Sequence, residues 1–179
     1  MTDDALTRGA DPAYREALLE RLGDADPVDE LALLFERLPA ALEGLDNERV
    51  TRPEAEGKWS ILQVVCHLAD AELMQAFRIR RALTEERPVL APMDQDVWAH
   101  RLDYAGESLA EALDQLRALR VANLRLVRRL PDETLDRTTF HPERGEETVR
   151  TILAVLAGHD RVHLDQIARI RRTLEREEG

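Results

Sequence analysis

Cys66 is the only cysteine in the 179 residues, so no disulfide can close within the chain. Aromatic residues make up only 4%. No apolar run approaches the ~20 residues that span a bilayer, and no signal-peptide pattern opens the chain. Lysine is almost missing: Lys58 stands alone, and the remaining positive charge is arginine. Positive charge is also outnumbered, for the net charge is −11, which repels nucleic-acid phosphates. Together these absences predict a cytoplasmic protein with neither nucleic acid nor membrane among its partners.

What the chain does contain points to helices. Hydrophobic residues amount to 44%, enough for a real core in one domain over 1–179. Leu, Ala, Glu and Arg dominate, and these side chains lose little rotamer freedom on a helix. Caps and apolar spacing predict four long helices. The first is Asp26–Leu45, with Asp26 as N-cap, Pro27 in the first turn and a stripe of Leu31, Leu34, Leu38, Ala41, Leu42 and Leu45. The second is Ser60–Leu83, opened by a Ser60/Gln63 capping box and striped by Ile61, Val64, Leu68, Met74 and Phe77. The third is Ser108–Leu130, with Glu111 as capping-box partner and Pro131 as its stop. The fourth is Thr148–Leu174. A short amphipathic helix around Ala13–Leu22 is expected within an N-terminal extension over 1–25. Strand-like alternation is confined to a weak stretch at Thr138–Phe140. The economical way to bury four stripes is an all-α four-helix bundle. Its connections Arg87–Glu107 and Pro131–Glu147 are too long for simple turns and read as crossovers or lids.

The chemistry concentrates in histidine. In the fourth helix the inward positions run Ile152, Leu156, His159, His163, Ile167, Ile170 and Leu174, so two histidines stand where leucine would be expected. They are four residues apart and project from one face. His67 occupies the inward face of the second helix with Val64, Ala71 and Met74. Burying three imidazoles without partners would cost ~1–3 kcal/mol each, and a shared metal ion would offset that. Three histidines with a further open position match a catalytic zinc centre rather than a closed structural one. A lone inward histidine is more often an ordinary core residue; the three together are not.

Four segments carry a resemblance to a known family: Gly57-Lys-Trp-Ser-Ile-Leu-Gln-Val-Val-Cys-His-Leu-Ala-Asp70, Met93-Asp-Gln-Asp-Val-Trp98, His141-Pro-Glu143, and Gly158-His-Asp-Arg-Val-His-Leu-Asp-Gln-Ile167. Over roughly Ala25–Arg172 the chain resembles the DinB/YfiT-like family of metal-dependent proteins. The resemblance implies an up-down-down-up four-helix bundle. It also implies a zinc or nickel ion held at the positions of His67, His159 and His163. Characterised members of that family include thiol S-transferases using bacillithiol or mycothiol and a maleylpyruvate isomerase.

Other residues carry weaker expectations. Asp70, Asp160 and Gln166 each lie about one turn from a cluster histidine, where they either accept a ring N–H or sit on a solvated face. Asn123 in a leucine seam either sets helix register or points into the site. Gln63 serves the cap. His100 and His141 fall in loops and are expected to face solvent. Cys66 is expected to be a small core residue, Trp59 a staple, and Trp98 a pocket-entrance residue or a cover for the bundle. The leading function is a metal-dependent enzyme acting on a small molecule, as a thiol S-transferase or a hydrolase. A non-enzymatic metal-binding stress protein and a metal-free dimeric scaffold are the alternatives. Asp160 stands where a zinc-protease helix has its glutamate base, which favours thiol chemistry. Leftover apolar residues on outer helix faces suggest a homodimer.

Overall fold

The computed structural model describes residues 12–177. The polar opening of the chain, 1–11, lies outside them. The short helix α1 (Pro12–Leu22) precedes the four long helices α2 (Pro27–Leu42), α4 (Ile61–Thr84), α6 (Leu109–Val127) and α7 (Val149–Glu177). Each long helix begins where its cap predicts. Asp26 accepts from the backbone N–H groups of Val28 and Asp29 at 2.8 and 3.0 Å. Ser60 and Gln63 exchange both capping-box bonds. At Ser108 only half the box forms: its hydroxyl accepts from Glu111 N–H at 3.5 Å.

The ends differ more than the starts. α2 stops at Leu42 instead of Leu45, because Pro39 lacks an N–H for the helix ladder and Gly44 turns the chain at φ +76°. α6 stops at Val127, and its last carbonyls tighten onto Arg129 and Leu130 by i→i+3 bonds.

α2 packs on α7, α7 on α4, α4 on α6 and α6 on α2, closing a ring of four. Consecutive long helices α2 and α4, and then α6 and α7, thus lie across the bundle, so the connections within these two pairs are crossovers, whereas α4 and α6 are neighbours despite the long segment between them. Those connections are themselves structured. α3 (Asn47–Thr51) and α5 (Gln95–Arg101) occupy two of them. In the third, β1 (Thr138–His141) pairs antiparallel with β2 (Gly145–Thr148), pairing Thr138 with Thr148 and His141 with Gly145. The strand-like stretch therefore is a strand, one residue longer than its alternation suggests. It is anchored to the segment after α4, where Leu90 N–H donates to Phe140 O and Phe140 N–H to Pro88 O.

The core has two main clusters, one around Leu34, Leu62, Leu68 and Leu116, the other around Leu31, Ile79, Leu124 and Ile152. One expected core residue is misplaced: Phe77 is 54% exposed. The inward face of α4 in its second half instead mixes Ala76, Ile79 and Ala82 with the buried polar side chains Glu72, Gln75 and Arg78. Apolar count alone placed Phe77 wrongly, because these polar side chains take inward positions beside specific partners and a cavity.

Candidate metal centre

α4 and α7 pack together and bring His67, His159 and His163 face to face. His67 is 3% exposed and His163 0%. The Nε2 atoms of His67 and His159 are 3.0 Å apart, and those of His163 and His159 are 3.1 Å apart. In a tetrahedral centre with metal–nitrogen bonds of ~2.0–2.1 Å, neighbouring ligand nitrogens stand ~3.3 Å apart. The cluster has that scale.

Protons cannot satisfy this arrangement. The His163 Nδ1–H donates to Gln166 Oε1 at 2.7 Å, which leaves Nε2 of His163 as a lone pair. His159 Nε2 can then donate to His163, but the same atom cannot also accept from His67. Adding a second proton to a ring is opposed by burial. Burial and the neighbouring His163 hold the His67 ring well below its ordinary pKa. Burial, His163, His67 and Arg120 do the same to His159. Burial lowers His163 to about 4. Three neutral rings with converging lone pairs form a cation-binding donor set, and imidazole suits zinc, nickel, copper or iron. The Nδ1 atoms of His67 and His159 have no acceptor among the described residues.

The other candidate residues divide sharply. Gln166 meets a histidine. Asp70 does not: it accepts from Tyr104 O–H at 2.6 Å and from Gln115 at 3.3 Å. Asp160 also turns away, because a buried guanidinium claims it. Arg120 donates to Asp160 at 2.7 and 3.2 Å, to Glu72 at 2.8 Å and to the Leu31 carbonyl at 2.9 Å. Asn123 belongs to the same network, between Glu72 and Arg80, and not to the histidines. Cys66 is buried and burial pushes its thiol up to about 12, so it offers no thiolate. Trp59 packs its ring 5.1 Å from that of His67, and Trp98 packs on the core. His100 is exposed, though in the last turn of α5 rather than a loop.

His141 reverses its expectation. The alternation of β1 turns Thr139 and His141 inward and leaves Phe140 45% exposed, so His141 is 1% exposed. It lines a cavity beside His67 and His159, together with Gln75, Arg78 and Arg144. That polar wall was missed. Its one legible signal was the 138–140 alternation, which carried one residue further places His141 inside.

Residues 30–167 match the DinB superfamily. A protein of Oceanobacillus iheyensis named "Putative metal-dependent hydrolase" is 33% identical over 137 residues, covering 74% of this chain and 79% of that one. A Bacillus cereus protein of the same name is 29% identical over 161 residues, covering 90% and 92%. Among solved structures, YfiT from Bacillus subtilis, described as "a probable metal-dependent hydrolase with an unusual four-helix bundle topology", superposes with a TM-score of 0.77 at 27% identity, over 83% of this chain and 86% of that one. Helix order, bundle and matched span agree, and the chain belongs to the DinB superfamily.

Proposed function

We propose that this protein is a divalent-metal-dependent enzyme, with His67, His159 and His163 as ligands to a zinc or nickel ion, and that it hydrolyses a small molecule. The observation that carries the reading is the convergence of three buried, neutral Nε2 atoms that no set of protons can satisfy. An ion so held supplies Lewis acidity, lowering the pKa of a coordinated water or thiol and polarising a carbonyl. The chain's own part is to fix the ring of His163 through Gln166 and to keep one side of the cluster open to the cavity. That opening favours an enzyme over a closed metal store. The relatives' names favour hydrolysis.

One observation favours a second reading, thiol S-transfer: among the described residues no carboxylate lines the cavity, and Asp160 is held by Arg120. A nucleophile that arrives as an anion, as a low-molecular-weight thiolate does, needs no such base.

Elemental analysis after mild chelation tests the proposal. His159→Ala and His163→Ala should lose most of the metal that the wild type retains, and His141→Ala should keep it. Equal metal in all three variants would overturn the ligand assignment. In the cobalt-loaded wild type, sulfur-to-metal charge-transfer absorption on adding a thiol is expected of an open coordination position, and its absence would favour a closed structural metal site over an enzyme.

A further inference from the structure

Beside the histidine cluster, three buried polar atoms have no partner among the described residues: Gln75 Oε1, Arg78 Nε and His141 Nε2. All three residues line one cavity with His67 and His159. Gln75 is 9% exposed, Arg78 4% and His141 1%. Folded proteins leave few buried polar groups unpaired, so three in one wall need a cause.

Arg78 shows the need most clearly. Among the described residues its only hydrogen-bond acceptor is the neutral carbonyl of Ala91, at 2.5 Å. Arg120, equally buried in the same bundle, is met by two carboxylates. Arg78 has no such direct ion pair among the described residues: Glu147 and Glu143 act on it only from beyond hydrogen-bond reach. Arg144, the other cation of the wall, is already paired with Glu147 at 2.6 and 3.0 Å. The Arg78 Nε–H is left facing the cavity with no acceptor among the described residues.

His141 adds a donor of known sense. Glu143 N–H donates to His141 Nδ1 at 3.2 Å, so the neutral ring carries its proton on Nε2. Burial, Arg144 and Arg78 keep that ring neutral, lowering it to about 4. The remaining lining is mostly apolar, with Leu18, Met74, Val155 and Leu156, and adds Tyr14 and Gln95. The cavity is about 60 Å³, room for a few heavy atoms.

We propose that this cavity binds the carboxylate of a small monoanionic substrate, with Arg78 Nε–H and His141 Nε2–H as donors, and so presents the other end of that substrate to the three-histidine cluster. The proposal deepens the function above and rests on it only for the reacting end. A monocarboxylate matches the one guanidinium that lacks a direct ion pair better than a phosphate dianion does.

Calorimetric titration with sodium propionate, propionamide and inorganic phosphate, on protein as purified and after chelation, tests it. Propionate should bind both forms, with propionamide and phosphate weaker by about tenfold or more, as loss of a charge-assisted bond implies. Arg78→Gln should weaken propionate by about tenfold or more, and His141→Gln by less. Gln75→Glu should abolish binding without lowering Tm, because its carboxylate sits one turn from Arg78 and takes the ligand's place. If Arg78→Gln fails to fold, Gln75→Glu decides. Propionate affinity unchanged in these variants, no binding after chelation, or equal binding of the amide would each overturn the proposal. Metal analysis of the same samples keeps the two claims apart. A wild type that holds no metal as purified and takes none up, yet binds propionate through Arg78, would sink the metal reading alone, and a metal-loaded protein indifferent to propionate would sink this one alone.

Discussion

A buried imidazole that stays neutral stores a dependence on acid. In the unfolded chain a histidine takes up its proton near 6.5, whereas folded His141 and His163 resist until about 4. Folded His67 and His159 are lowered as well. Between those limits the unfolded state binds more protons, so stability is complete above pH ~6.5 and is lost as pH falls through the window. Each such ring contributes up to ~1.4 kcal/mol per pH unit. Asp160 opposes this, since burial raises its carboxyl to about 6 despite Arg120, but it is one group against four. The metal-stripped protein should therefore hold a constant Tm between pH 7 and 8 and lose it steeply below ~6.5, more gently in His141→Gln. Calorimetric scans across that range check the slope, and a Tm unchanged down to pH ~4.5 would contradict it.

At the scale of elements, the contact between α1 and α7 depends on one missing side chain. A Cβ on Gly158 would stand 2.0 Å from the carbonyl oxygen of Leu18 and 2.8 Å from its carbon, both backbone atoms. α1 lies that close to the helix carrying His159, and it supplies Tyr14 and Leu18 to the cavity wall. Gly158→Ala should force the two helices apart at a cost of ~1–3 kcal/mol or more, the usual toll of overpacking. A lower Tm and faster proteolytic cleavage within 12–22 are the expected readouts. Wild-type behaviour in both would mean that α1 is not seated on α7. The hairpin makes the matching point: its register, from Thr138 opposite Thr148 to His141 opposite Gly145, is what carries a loop histidine into the wall.

For the molecule as a whole, Arg120 is the point at which the long helices meet. From α6 it reaches Glu72 on α4, Asp160 on α7 and the Leu31 carbonyl of α2. Replacing it alone, as in Arg120→Met, leaves two carboxylates buried without a cation and should cost ~3–5 kcal/mol. Chemical denaturation measures that loss. A variant that also carries Glu72→Gln and Asp160→Asn should recover part of it, because it no longer buries charge. No recovery would mean that Arg120 acts through packing instead.

Local signals were legible without the fold. Asp26, Ser60 and Ser108 mark helix starts because a cap needs only its own first turn, and His159 and His163 share a face because one turn of helix brings i and i+4 together. The resemblance of the Gly57–Asp70 and Gly158–Ile167 segments to the DinB/YfiT-like family linked His67 to that pair. Long-range partners were not legible. Whether Asp160 serves a histidine or an arginine depends on Arg120, forty residues away in sequence and adjacent only after α6 packs. The same holds for Asp70, which Tyr104 claims, and for Asn123, which Glu72 and Arg80 share. His141 reads as a surface residue because loop position normally means solvent, and nothing in the sequence marks Arg78 as interior. They are interior only because the ring of helices and the hairpin close over them, and burial is a property of that closure rather than of either residue.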